Sequence, residues 1–330
     1  MGMIVVTGGA GFIGSNLVAA LEEHGRADIV VCDTLGQDDK WRNIAKRALA
    51  DIVAPERLMD FLEANARRID AVCHLGAISA TTASDVDLVI ETNFRRSNAI
   101  WEWCTREGRP LIYASSAATY GDGRAGFDDD ATQAGLARLR PLNPYGWSKH
   151  LFDRRIAALV ASGAKLPPQY VGLKFFNVYG PNEYHKGAQR SVVHQIHPFA
   201  AAGQPFALFK SYDTRYADGG QMRDFVWVGD CVAVMIWLLD HPRVSGLFNL
   251  GTGRARSFLD LANAVYRACG RNAAVEFRDM PQEIRDRYQY FTEARMERLR
   301  AAGYGAPFMA LEEGVQRYVR DFLAAPDPYL

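Results

Sequence analysis

A chain of 330 residues, 48% hydrophobic and 23% charged, has ample apolar material for one large or two fused globular units. Its 38 basic and 38 acidic side chains cancel, so no overall field draws it to nucleic acid or to an anionic membrane. Five scattered cysteines (Cys32, Cys73, Cys104, Cys231 and Cys269) without a C-x-x-C pair argue against a disulfide framework or a metal site and for a reducing, cytoplasmic setting. The longest strongly apolar run, 231–239, is too short to span a bilayer.

Met3 to Thr7 is a short β-branched run that predicts a buried parallel strand. It leads into Gly8, Gly11 and Gly14, then into a helix with apolar periodicity through Leu17, Val18 and Leu21. Strand, glycine turn and helix in this order predict a dinucleotide site, with the helix N-terminus facing the phosphates. A second strand, Ile29 to Cys32, ends at Asp33 and Thr34. An acid here suits the hydroxyls of an adenosine ribose and points to NAD. The next residues carry Lys40 and Arg42, suited to a 2′-phosphate, beside Asp38 and Asp39, which are not. On the residues alone, NAD and NADP both remain open.

A third strand around Ala71 to His74 runs into Leu75, Gly76 and Ala77, small residues against which a cofactor can lie. His74 reads as a packing residue at the strand end. Asn93 follows on a helix with Phe94 and Asn98. Leu111 to Ala114 is a further strand, ending in Ser115 and Ser116, whose hydroxyls should point into the ligand crevice of an open α/β sheet. The polar stretch 122–140, with Asp128, Asp129 and Asp130, reads as a solvated loop.

Tyr145 and Lys149 stand four residues apart at the start of a predicted helix, behind Asn143 and Pro144. That spacing puts both on one face, one turn apart. A cation about 4 Å from a phenol, at an effective dielectric of roughly 20, is worth about 4 kcal/mol. Such a field would draw a tyrosine toward neutrality and make it a base for an alcohol proton. Beyond a strand from Val171, Lys186 lies in a Gly-flanked loop and by its residues alone reads as exposed. Arg223 opens another strand, placed to grip a diphosphate.

Together, the run Thr7 to Gly14, Ser116, Tyr145 and Lys149 resemble the extended short-chain dehydrogenase/reductase superfamily. Within it, the segments Tyr113 to Gly121, Phe175 to Pro181, His185-Lys186-Gly187, Arg223 to Val226, Phe248 to Arg254, Tyr288 to Thr292 and Leu299 to Tyr304 resemble the ADP-L-glycero-D-manno-heptose 6-epimerase family. The chain departs from that pattern at Pro55, where the family places a lysine, and at Ala188 and Gln195 on the substrate side. Its 122–140 and 211–221 segments are longer than the pattern.

The resemblance implies a Rossmann-like, doubly wound parallel sheet with a smaller α/β C-terminal substrate domain. Residues 1–170 would bind NADP, segments of 171–255 would return to that domain, and 171–330 would mainly bind substrate. It implies NADP rather than NAD, held by Gly8, Gly11, Phe12, Ile13, Gly14, Asp33, Thr34, Lys40, Leu75, Gly76, Ala77, Ser79, Asn93, Lys149, Val178 and Lys186. Thr34 and Lys40 would meet the 2′-phosphate. Tyr145, Lys149 and Ser116 would serve oxidation at C6 of an ADP-heptose, and Lys186 would be the second acid/base. Ser116, Asn177, Ala188, Gln195, Phe209, Lys210, Ser211, Arg223 and Tyr288 would contact the nucleotide sugar. The family is pentameric, so a homo-oligomer is expected. A nucleotide-sugar 4,6-dehydratase is the nearest rival, but such enzymes carry an Asp-Glu pair where this chain has Ala117-Ala118. A nucleotide sensor would not need Tyr145, Lys149 and Ser116 together, whereas an epimerase or reductase for another nucleotide sugar would.

Overall fold

Alternation along the first strand sets up the layers. In β1 (Met3–Thr7), Ile4 and Val6 join one hydrophobic cluster while Met3 and Val5 join another, as a strand buried on both faces requires. The computed structural model describes residues 2–285 and 288–330. After β1 come α1 (Phe12–Glu23), β2 (Ile29–Cys32), β3 (Asp51–Val53), α2 (Leu58–Ala64) and β4 (Ile69–His74). Helices α3 (Val86–Ile90) and α4 (Arg96–Glu107) are joined through one π-helical turn, Glu91–Arg95. Then follow β5 (Leu111–Ser116), α5 (Gln133–Ala137), α6 (Pro144–Ala161) and β6 (Tyr170–Phe175). The later elements include β7 (Asn177–Tyr179), α7 (Val192–Ala202), β8 (Phe206–Phe209), β9 (Met222–Trp227), α8 (Val228–Asp240), β10 (Gly246–Leu250), β11 (Ala255–Ser257), α9 (Phe258–Ala268) and β12 (Val275–Arg278).

Seven strands form one sheet in the order β10-β6-β5-β4-β1-β2-β3, every neighbouring pair parallel. The chain therefore has the Rossmann-like doubly wound α/β fold. Helices α1 and α8 cover one face through Leu17, Leu21, Met235 and Leu238. Helices α2, α4 and α6 cover the other through Leu58, Leu62, Trp103, Phe152 and Ile156. Each such side chain contributes roughly 1.5–3 kcal/mol by leaving water. The strand order turns back between β1 and β4, so their outgoing connections part to opposite faces and open a crevice at the carboxyl ends.

The remaining strands make a three-stranded sheet, β11-β9-β7, and a parallel pair, β12-β8. Around them a separate core gathers Phe225 and Trp227 of β9, Val193 and Ile196 of α7, Leu261 and Val265 of α9, and Val315 and Tyr318 of the helix Leu311–Tyr318. No helix among the described residues is long and apolar enough to cross a membrane.

The segment 122–140 differs from its expectation as a solvated loop. Phe127 and Leu136 are buried in the core, and Asp129 is only 3% exposed. The Asp129 carboxylate accepts the N–H of Asn249 on β10 at 2.9 Å, with the Arg298 guanidinium 3.6 Å away. One of three consecutive aspartates is thus an anchor to the sheet, which a charge run in sequence conceals.

Candidate active site

Two cavities lie over the crevice and meet at a shared wall. The first, about 700 Å³, runs along the carboxyl ends of β1 and β4. Its walls include Gly8, Gly11, Phe12, Ile13 and Gly14, then Asp33, Lys40, Leu75, Gly76, Ala77 and Ser79. Ser116, Tyr145, Lys149, Val178, Lys186 and Ala188 complete it. The second, about 780 Å³, is walled by Ser116, Ala117, Ala118, Tyr145, Asn177, Arg223 and Tyr288. Ser116 and Tyr145 belong to both.

The glycine turn fits a dinucleotide. Gly8 has φ +67°, and a Cβ there would stand 2.7 Å from the backbone of Gly76. At Gly14 a Cβ would stand 2.0 Å from the carbonyl oxygen of Gly8. Helix α1 begins at Gly11 with no side chain capping it. Its first N–H groups face the first cavity, and such a helix end favours phosphate. At the far end, Asp33 accepts from the N–H of Ala10 at 3.0 Å, the N–H of Thr34 at 2.8 Å and the Lys40 ammonium at 2.7 Å. Lys40 also donates to the Thr34 carbonyl at 2.9 Å. The acid expected to face a ribose is thus paired with the cation expected to face a 2′-phosphate.

Helix α6 starts cleanly because the Asn143 side chain accepts the Gly146 N–H at 2.8 Å and Pro144 occupies the first turn. Tyr145 and Lys149 project from its first two turns. Here the electrostatics differ from the sequence expectation. Burial pushes the Tyr145 phenol above its ordinary value, and a hydrogen bond with Ser116 opposes that rise. Burial also pulls Lys149 down to about 8, against the field of Asp153. Both groups sit where water is scarce, so loss of hydration sets the direction for each.

Across the first cavity, Lys186 lies in the short 3-10 segment Tyr184–Gln189, half-buried, with its ammonium 5.3 Å above the Phe12 ring. Burial lowers its pKa and Glu183 raises it. Glu183 is buried and accepts from the Ser191 N–H and hydroxyl and from Tyr318. In the second cavity Arg223 is held between aromatic rings, 5.4 Å from Tyr288 and 5.5 Å from Phe258. Burial lowers it too, and one of its donors meets the Met222 carbonyl at 2.8 Å.

Not every expected residue reaches these walls. Asn93 is buried behind them and clamps the strand-end loop by accepting from the Ile78 N–H at 2.8 Å and donating to its carbonyl at 2.9 Å. Thr34 lies beside the first cavity, its carbonyl taken by Lys40. Gln195 is exposed on α7 and donates to the Arg190 carbonyl at 2.8 Å. Lys210 pairs with Asp279 at 3.3 Å, and Ser211 donates to the Asp213 carbonyl at 2.9 Å. Phe209 lines neither cavity and stands edge-on to Tyr288 at 6.4 Å between centroids. Just past β8, Lys210 is thus paired with a residue beyond β12 and Ser211 with its own loop, and neither lines either cavity. Ala188, expected on the substrate side, lines the first cavity. His74 is a packing residue, buried between the hydroxyls of Thr7 at 2.6 Å and Ser97 at 2.9 Å.

Thr81 and Thr82 are walls of both cavities, and Gln289 and Thr292 of the second. Thr81 and Thr82 stand in no motif, whereas Gln289 and Thr292 fall within the Tyr288 to Thr292 segment that carries part of the family resemblance. The only trace of the first two in the sequence is a hydroxyl-rich stretch just past a strand end.

A parallel sheet with a glycine turn at its reversal point, and a tyrosine–lysine pair over the same crevice, define an oxidoreductase-like nucleotide fold. The chain belongs to the NAD dependent epimerase/dehydratase family, which it matches over residues 4–251. It is 51% identical to an ADP-L-glycero-D-manno-heptose-6-epimerase of Nitratidesulfovibrio vulgaris (strain DP4), over 99% of this chain and all of that one. The crystal structure of the Helicobacter pylori ADP-L-glycero-D-manno-heptose-6-epimerase superposes with a TM-score of 0.78 at 28% identity, covering 97% of this chain and 96% of that one. A Thermus thermophilus UDP-glucose 4-epimerase in complex with NAD follows at 0.73 and 25%, covering 96% and 97%.

Asn182 ties α1, the turn at Asn43 and Leu330 to the segment that carries Lys186. Its amide donates to Ser15 at 3.0 Å and to the Asn43 carbonyl at 3.2 Å, and accepts from the Leu330 N–H at 3.0 Å. It does so at φ 70°, a left-handed conformation that asparagine tolerates. Asn182→Ala should cost about 2–3 kcal/mol in denaturant unfolding. It should also speed amide hydrogen exchange in both 40–46 and 183–187. Asn182→Gly, which keeps the backbone but not the bonds, should show the same exchange at a smaller stability cost.

Proposed function

We propose that the protein inverts C6 of ADP-D-glycero-D-manno-heptose, giving the L-glycero isomer through a transient 6-keto sugar. The observation that carries this reading is the meeting of the two cavities at Ser116 and Tyr145, with Lys186 on one side and Arg223 on the other. A bound nicotinamide supplies reversible hydride chemistry at the carbinol carbon. Tyr145 takes the hydroxyl proton as the carbon is oxidised, and Ser116 hydrogen-bonds the reacting oxygen. Lys149 stabilises the phenolate with its charge. The ketone is flat at C6, so turning it within the site exposes the opposite face, and Lys186 donates the proton there. Arg223 offers a planar fork of donors to the diphosphate, flanked by Asn177 and Tyr288.

The pyridine nucleotide is NADP in this reading. Support comes from Lys40, whose ammonium neutralises Asp33 at the ribose end of the cavity. Ala117 and Ala118 in the second cavity argue against a dehydratase, because a methyl group moves no proton. A cytoplasmic, homo-oligomeric enzyme belongs to the same reading, and the free cysteines Cys32, Cys73, Cys104, Cys231 and Cys269 favour a reducing setting.

Incubated with ADP-D-glycero-D-manno-heptose, the protein should form the L-glycero isomer with no stoichiometric change in free NADPH, and the nucleotide it carries from purification should be NADP. Sustained NADPH consumption would indicate a reductase, loss of water from the sugar a dehydratase, and bound NAD alone would reverse the cofactor assignment.

Tyr145→Phe and Lys186→Met should each lose at least ~100-fold in epimerisation, the scale of a positioned acid/base group. Both should still bind substrate in a calorimetric titration, since neither removes Arg223 or the glycine turn. A near-normal rate for Lys186→Met would leave Tyr145 as the single base.

A further inference from the structure

One helical turn beyond Lys149, α6 carries Asp153, and this carboxylate is fully buried opposite a fully buried lysine. The Lys174 ammonium on β6 stands 2.8 Å from Asp153, with both side chains 0% exposed. Asp153 also accepts the Ser115 hydroxyl of β5 at 2.7 Å. Lys174 donates in turn to the Thr119 hydroxyl at 2.6 Å and lies 4.9 Å from the centre of the Tyr120 ring. Thr119 donates to the carbonyl of Ser116 at 2.8 Å. One network therefore joins the helix of Tyr145 and Lys149 to the strand end that presents Ser116. Packing alone does not account for it, because apolar side chains of similar volume would join the same elements without the cost of burying two charges.

We propose that Asp153 and Lys174 are positioning residues for this site: their buried ion pair sets the charge that Lys149 presents and holds Lys149 and Ser116 in register. Its meaning for catalysis rests on the epimerase reading, but its effect on Lys149 does not. The i, i+4 spacing puts Asp153 and Lys149 on one helix face. Burial already pulls Lys149 down to about 8, and Asp153 is the group that resists this. Lys174 partly cancels Asp153.

Around Lys149 stand Tyr145 one turn back on α6 and His74 on β4, whose imidazole feels the charges of both Lys149 and Arg96, with Lys186 lining the same cavity. His150 and Tyr113 sit beside Asp153. Burial holds His74 at about 3 and His150 at about 4, so both are neutral at working pH. Tyr113 is pushed well up by burial and is neutral too. Asp153 is then the one anion among these groups, and Lys174 is its ion-pair partner. Removing either member of the pair unbalances the set in opposite senses.

The chain has seven lysines, few enough to resolve in carbon-13 spectra of lysine-labelled protein, and Lys149→Met assigns the signal of interest. In the wild type the Lys149 signal should titrate near pH 8. In Lys174→Met, Asp153 acts on Lys149 unopposed, and the midpoint should rise by about one unit. In Asp153→Asn it should fall by about one unit, and the acid limb of the epimerase pH profile should move with it in both variants. Lys174→Met is the variant expected to fold, since Asp153 keeps the Ser115 and Tyr113 hydroxyl donors, and it decides the matter alone if Asp153→Asn does not accumulate. An unmoved or lowered midpoint in Lys174→Met, or shifts of the same sign in both variants, would overturn the proposal. A wild type without epimerase activity would overturn the functional reading instead, and the titration would still stand.

Discussion

The reversal of strand order between β1 and β4 is the constraint on which the site depends. Neighbouring parallel strands with diverging connections leave a gap at their carboxyl ends, and the two strand ends close that gap with backbone and one hydroxyl. The N–H of Leu75 donates to the carbonyl of Thr7 at 3.1 Å, and that of Gly76 to the Thr7 hydroxyl at 3.1 Å. Gly8 and Gly76 then pass too closely for any side chain at Gly8. Everything that lines the first cavity is arranged around this seam: the N-terminus of α1 above it, Asp33 beyond it, and Tyr145 and Lys149 from the far side.

Desolvation is the second organising force. It lowers Lys149, Lys186 and Arg223 and raises Tyr145, each against a neighbour of opposing effect. The two lysines are treated alike, with Asp153 raising one and Glu183 the other. A group moved toward the working pH exchanges protons readily, so burial and a nearby carboxylate together prepare both lysines without either being exposed.

Much of the fold was legible because its signals are local. A β-branched run, a glycine turn and an apolar-periodic helix are contiguous, and Asn143-Pro144 marks the start of α6 by capping chemistry. The four-residue spacing of Tyr145 and Lys149 fixes their shared face. What stayed hidden depends on partners far along the chain. Thr81 and Thr82 become walls of both cavities only when the loop after β4 meets α6, and Asp129 is internal only because β10 offers it an N–H. Lys174 did give a sign, a charged residue inside an otherwise apolar strand, but its partner Asp153 lies 21 residues away. Gln195, Lys210 and Ser211 were placed by likeness of pattern; outside the cavities, Gln195 and Ser211 bond within their own segments and Lys210 pairs with Asp279. The Tyr145 phenol was misjudged because spacing shows the nearby charge and not the loss of water around it.

In the proposed reaction one crevice removes a hydride from C6 and returns it to the same carbon. Following the fate of a deuterium at C6 of ADP-D-glycero-D-manno-heptose tests this most directly. Mass spectrometry of the L-glycero product formed in ordinary water should show the deuterium retained at C6. Its replacement by solvent hydrogen in step with epimerisation would contradict the account, since the carbon would then be inverted by proton removal and not by transient oxidation.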